Sequence, residues 1–325
     1  MIPGAASSWI EREDVRIRVH HAGEGPLVVL LHGFPELAYS WRHQFRPLVE
    51  AGYRVAAPDQ RGYGDSSSPP NAEAFSVEEL AADVAAVIDA FGGEPAVVIG
   101  HDWGAPVAWH TALRFPSRVR AVGSLSVPHA ARASAPPLAL MRAAAGPDFI
   151  HYIDYFQQPG LAEGEFEADV RASLLGFLWA ISGDAPREER FKPIQRGKRF
   201  LDSLAVPAAL PSWLTEDDLQ VYVRAVRKSG FRGGLNWYRN VDRNWEQSAD
   251  LAGAVVSQPA MFVTGSRDPA RNPPAIDRLR DVVPDLRVSA VLEGCGHWTQ
   301  QERPEDVTRL LLEFLSATGA PSRTM

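Results

Sequence analysis

The 325-residue chain has a single cysteine, Cys295. One thiol excludes an intrachain disulfide and every multi-cysteine metal site, which leaves Cys295 the role of a small buried side chain. Positive charge is not in excess either. The formal net charge is -7, so nothing electrostatic draws the chain to a nucleic-acid backbone. Long apolar runs are also missing. Stretches such as LVVLL at 27–31 and AVVIG at 96–100 fall far short of the roughly 20 residues a membrane helix needs. The opening MIPGAASSWIERED contains acids and no apolar core of the kind a secretory leader requires. The expectation is a soluble cytoplasmic protein with neither nucleic acid nor membrane as partner. No HExxH, no P-loop and no GxGxxG after a strand occurs, so no metal or organic cofactor is expected. What remains is an ordinary globular composition, 45% hydrophobic and 22% charged, which argues against disorder and fibres.

From residue 14 onward, short β-rich runs alternate with helical patterns, the mark of a mostly parallel sheet with helices on both faces. VRIRVHHA, PLVVLLHG, YRVAAPD, AVVIG and AVGSLSV read as strands. The later ones are near-continuous apolar runs, as expected when both sides of a strand are covered. Between them, SVEELAADVAAVIDAFGG reads as a helix. Val77, Leu80, Val84, Val87 and Ile88 form its apolar stripe, Ser76 and Glu79 suggest a capping box, and Gly92 stops it. After Pro128 the alternation ceases. Up to about residue 250 the chain shows helical stretches, notably 163–182 and TEDDLQVYVRAVRKSGF, with no convincing strand. In the latter, Thr215 and Asp218 give a variant capping signal and Gly230 ends the helix. PAMFVTG and LRVSAVLE then restore strand character, and PEDVTRLLLEFLSA closes the domain with Pro304 in its first turn. GAPSRTM reads as a frayed tail. The expected organisation is an α/β core made of 1–128 and 251–325, split by a helical insertion at 129–250.

In AVVIGHDWGAPVAW a buried strand runs straight into a helix, with Gly100 and Gly104 flanking the turn. Such a turn is sharp enough to need small residues two before and two after its apex, and it projects the apex side chain from the carboxyl end of the sheet. The apex here is Asp102, where an esterase has serine. Two glycines at a strand-to-helix turn are often only a packing device, so the elbow gains weight from what accompanies it. His32, Gly33, Phe34 and Pro35 follow another buried strand at its carboxyl end. In folds with such an elbow, that loop and the residue after the apex supply an oxyanion hole, here the backbone N–H groups of Phe34 and Trp103. Asp268 follows PAMFVTG and His297 follows LRVSAVLE. The order nucleophile, acid, histidine is the one this elbow uses.

These motifs, taken together, resemble the epoxide hydrolases of the α/β-hydrolase fold, especially the soluble type. The resemblance rests on HGFPE at 32–36, YSWRHQ at 39–44, DQRGYGDSS at 59–67, GHDWG at 100–104 and GHWTQ at 296–300. YFQQPG at 155–160 and GLNWYRN at 234–240 extend it into the insertion, resembling the cap segments from which those enzymes project two tyrosines over the nucleophile. By motif these are Tyr155 and Tyr238. The resemblance implies an inserted helical cap, an epoxide and water as substrates, and no cofactor. It implies an alkyl ester on Asp102, hydrolysed by water that His297 activates with Asp268 behind it. Phe34, Pro35, Trp103, Trp179, Trp237 and Trp298 are the candidate walls of an apolar pocket. A dehalogenase with a similar HDW elbow is the nearest alternative; such enzymes cradle a halide with an indole N–H and usually carry asparagine where Phe34 stands. A non-catalytic binder on the same fold would be expected to have lost part of this machinery. Monomer and homodimer are equally compatible with the sequence, and the choice of epoxide and its stereochemistry are not legible in it.

Overall fold

The computed structural model describes residues 2–319; most of the expected tail lies outside them. In chain order the strands are β1 (Ala6–Arg12), β2 (Val15–Ala22), β3 (Leu27–Leu31), β4 (Arg54–Asp59), β5 (Ala96–His101), β6 (Val119–Leu125), β7 (Phe149–Ile150), β8 (Ile194–Gln195), β9 (Ala260–Gly265) and β10 (Leu286–Leu292). Eight of them form one sheet in the order β1-β2-β4-β3-β5-β6-β9-β10. β1, β2 and β4 pair antiparallel. From β4 to β10 every pairing is parallel. β3 and β5, the strands that carry HGFP and the elbow, are neighbours, with Val28 to Leu31 opposite Val97 to Gly100. Both are buried along their whole length, as their unbroken apolar runs demand.

Helices Arg42–Glu50 and Pro304–Ala317 pack against one cluster of buried side chains that includes Val28, Leu30, Val97 and Ile99. Val77–Ala90 and Gly104–Arg114 pack into a second, with Val29, Leu31 and Val98. Alternate residues of β3 and β5 thus serve opposite faces, the period-two geometry of a strand. The helix Val77–Ala90 buries its expected stripe. Its capping box does not form: Ser76 makes no side-chain cap bond, and the Glu79 carboxylate pairs instead with Arg12 of β1.

Between β6 and β9 the chain is mainly helical, with helices at Pro137–Ala145, Leu161–Glu167, Val170–Ala180, Glu216–Ser229, Arg232–Arg239 and Val241–Gln247. The stretch expected as one helix at 163–182 is two, because Asp169 breaks it and caps the second through the Ala172 N–H at 3.0 Å. Thr215 and Asp218 form their reciprocal cap, and Gly230 ends that helix at φ 69°. The one departure toward strand is the two-residue antiparallel pair β7–β8. No helix among the described residues is long and apolar enough to cross a membrane.

Candidate active site

Steric necessity fixes the elbow. Asp102 sits at φ 50°, a left-handed conformation rare for a residue with a side chain. A Cβ on Gly100 would lie 2.0 Å from the Gly104 carbonyl oxygen, and one on Gly104 2.4 Å from that of Leu31. Neither position admits anything larger than glycine. Gly33 is constrained by the elbow side chain, since a Cβ there would meet Asp102 Oδ1 at 2.3 Å. The Phe34 N–H donates to Asp102 Oδ1 at 2.7 Å. It is the expected donor that bonds the carboxylate. His32 holds this loop in register: the Gln60 N–H donates to Nε2 at 3.0 Å, and Nδ1 donates to the Gly33 carbonyl at 2.9 Å. That pattern needs the neutral ring, and complete burial pushes the His32 pKa down.

The structure brings Asp102, His297 and Asp268 together from three strand ends. His297 Nε2 lies 3.3 Å from Asp102 Oδ2, and Nδ1 lies 2.9 Å from Asp268 Oδ1. The Ala270 N–H donates to Asp268 Oδ1 at 2.8 Å. Burial would lower the His297 pKa, but the Asp268 charge and the bonds to both carboxylates outweigh it and hold the imidazolium well above its ordinary 6.5. Burial would raise the Asp102 carboxyl, yet His297, His101 and the Phe34 N–H bring it below its ordinary 3.8. His297 thus sits between two carboxyl groups, facing Asp102 through Nε2 and Asp268 through Nδ1.

Behind them stands a buried pair the sequence did not announce. His101 Nδ1 lies 2.7 Å from Glu36 Oε2, and its Nε2 donates to the His297 carbonyl at 2.8 Å. Glu36 Oε1 accepts from the side chains of Gln300 at 3.1 Å and Gln301 at 2.8 Å. One carboxylate therefore links HGFPE, GHDWG and GHWTQ. The glutamate and histidine in those motifs were the available signal; partners this far apart in sequence were not readable from spacing.

Above Asp102 and His297 is a cavity of about 130 Å³, walled by Phe34, Phe156, Phe177, Phe200, Leu204 and Trp298 among others. Pro35 lines it too, as do the hydroxyl-bearing Tyr152 and Tyr238. The basic stretch 191–200 supplies Phe191 and Phe200 to the wall from its two ends. Here the structure corrects the expected phenol pair. Tyr155 does not face the cavity: its hydroxyl donates to Glu165 Oε2 at 2.7 Å. Tyr152, one turn earlier, faces it instead, with its ring centroid 5.9 Å from that of Tyr238. Burial raises both cavity phenols, and the Asp102 charge raises them further.

Three tryptophans expected in the wall are elsewhere. Trp179 Nε1 donates to Glu189 at 2.7 Å. Trp237 is wholly buried, with Nε1 donating to the Arg61 carbonyl at 3.3 Å. Trp103 packs edge-on to Tyr238 at 5.1 Å and lines a separate surface cavity with Trp109 and Trp245.

Residues 26–174 match a family model described as the alpha/beta hydrolase fold. Epoxide hydrolase A of Mycobacterium tuberculosis is 45% identical over 94% of this chain and 96% of its own length. Epoxide hydrolase B of the same organism is 41% identical over 90% of this chain and 92% of its own. Among solved structures, an epoxide hydrolase from an endophytic Streptomyces superposes with a TM-score of 0.94 at 45% identity, covering 97% of this chain and 96% of that one. Epoxide hydrolase A from Mycobacterium thermoresistibile gives 0.91 at 45% identity, covering 96% and 98%. The aspartate elbow, its histidine and acid, and likeness over nearly the full length agree: this chain belongs to the α/β-hydrolase-fold epoxide hydrolases.

Proposed function

We propose that the chain converts epoxides to vicinal diols in two steps, with the helical insertion at 129–250 serving as a cap that carries the acid groups. In the first step an Asp102 oxygen attacks an oxirane carbon, the C–O bond of the ring breaks, and an alkyl ester forms on the enzyme. Tyr152 and Tyr238 donate hydrogen bonds to the departing oxygen, and one of them gives it a proton. Raised phenol pKa values keep both protonated at neutral pH. The observation that carries this reading is the placement of the two phenols and the Asp102 carboxylate around a single cavity.

Esterification then changes His297. An ester carries no charge, so the part of the upward pKa shift that comes from Asp102 disappears while that from Asp268 remains. His297 can release its proton, which restores the phenol that protonated the epoxide oxygen, and then accept one from water. That water attacks the Asp102 carbonyl carbon, and the oxyanion forms beside the Phe34 N–H, with the Trp103 N–H assigned as its second donor. Collapse releases the diol. Nucleophile and base thus alternate their protonation needs through one electrostatic contact.

A cavity of about 130 Å³ is comparable to one that holds a benzene ring, about 150 Å³, and its aromatic walls suit a compact apolar epoxide. Styrene oxide and a bromoalkane of similar size separate the candidates. Diol without halide release is the expected result; halide release without diol would overturn it. Trp103 packs edge-on against Tyr238 and does not line the cavity, which favours the epoxide reading over the dehalogenase one.

A further inference from the structure

The His297 loop is fastened at its back by a carboxylate outside the reacting groups. Glu302 Oε2 accepts from the Gly296 N–H at 2.8 Å and from the Gly183 N–H at 2.9 Å, and Oε1 accepts from the Trp298 N–H at 3.1 Å. The two flanks of His297 and one corner of the insertion therefore converge on a single side chain. Backbone meets backbone at this seam: a Cβ on Gly296 would lie 2.2 Å from the Gly183 nitrogen, and one on Gly183 2.2 Å from the Gly294 oxygen. The His297 N–H donates to the Ile181 carbonyl at 2.9 Å, the Trp298 indole to Leu178 at 2.8 Å, and Arg267 to the Gly183 carbonyl at 2.7 Å. Those three bonds hold the seam closed without Glu302. Among the described residues, only the Glu302 side chain accepts from the backbone N–H groups on both sides of the base.

We propose that Glu302 is a positioning residue for the hydrolytic half-reaction, fixing His297 against Asp102 by clamping Gly296 and Trp298 to Gly183. Alkylation depends on Asp102 and the cavity phenols, which Glu302 does not touch. Ester hydrolysis depends on where His297 Nε2 points, and small displacements of a base cost steeply.

The inference rests on the two-step reading above. Its test is Glu302→Gln, which keeps the shape but puts an NH2 group where one of the amide-accepting oxygens stands. Rapid mixing with styrene oxide, followed by intact-protein mass, reads ester formation and decay separately. Formation within about 2-fold of wild type and decay slowed about 10- to 100-fold is the expected split. Glu302→Asp, a methylene too short to reach all three amides, should show a smaller loss at the same step. Equal slowing of both steps, the mark of a merely structural role, or an unchanged decay rate would overturn it. If neither variant folds, hydrogen exchange in the wild type decides: the Gly183, Gly296 and Trp298 amides should exchange as slowly as the central strands, and loop-like exchange would overturn the clamp. His297→Gln is the control on the underlying reading. Ester accumulating in that variant but not in Glu302→Gln rejects the clamp alone, whereas no ester in either rejects the two-step reading.

Discussion

Replacing Tyr152 or Tyr238 by phenylalanine removes one O–H donor and leaves the ring in its aromatic packing. Tyr238 keeps its edge contacts with Phe34, Trp103 and Phe156, at 5.3, 5.1 and 5.1 Å between centroids, so the cavity keeps its shape. On the proposed mechanism the loss falls on the oxygen that develops negative charge as the ring opens. Removing one preorganised donor from such a site costs about 10²- to 10³-fold in rate, roughly 3–4 kcal/mol of barrier. Each single variant should therefore form the ester about 10²-fold more slowly, with the remaining phenol sustaining what is left. Tyr155→Phe is the contrasting perturbation. It deletes the bond to Glu165, which also accepts the Leu201 N–H at 2.8 Å, so it should cost about 1–3 kcal/mol of stability and leave ester formation within a few-fold of wild type. Stopped-flow tryptophan fluorescence reads the alkylation, and urea denaturation reads the stability. A silent Tyr152→Phe beside a crippled Tyr155→Phe would refute this assignment of the phenols.

His297→Gln should form the ester and then stall, so that intact mass shows a persistent adduct; substrate turnover without one would contradict the division of labour. Thermal stability should depend on pH through the His297 charge. Its folded pKa is raised, so its contribution is full below about 6.5 and is lost as pH rises through the folded value, while that of Asp102, whose pKa is lowered, is lost only as pH falls below about 3.8. In Asp102→Asn the alkaline loss should shrink, and a melting series from about pH 6 to 10 that parallels the wild type would contradict this linkage. Gly100→Ala places a methyl 2.0 Å from the Gly104 carbonyl; it should destabilise by about 3 kcal/mol or more, and an unchanged denaturation midpoint would show that the elbow tolerates a side chain.

The parts of this molecule legible in its sequence are those enforced by local geometry. Gly100 and Gly104 announce the elbow because the backbone passes too close for a Cβ, and the runs of β3 and β5 announce central strands because both faces are covered. β1 is harder to see. It is an edge strand with no fully buried residue, so ASSWIER carries little hydrophobic signal. The capping box at Ser76 shows a related limit: the Glu79 side chain pairs with Arg12, 67 residues away in sequence. Two tyrosines in HYIDYF stand three residues apart on one helical turn, Tyr152–Tyr155, and spacing cannot say which faces Asp102. Glu165 decides it by drawing Tyr155 away. The tryptophans teach the same limit, since an aromatic residue beside a motif can as easily pack behind the wall as line it.

A single turnover in water enriched in heavy oxygen addresses the covalent step directly, with enzyme in excess over styrene oxide. If Asp102 attacks carbon and water attacks Asp102, the first diol carries only the enzyme's own oxygen and the peptide holding Asp102 gains the label. Label in the diol from that first turnover, with an unlabelled Asp102, would mean that water opened the ring unaided.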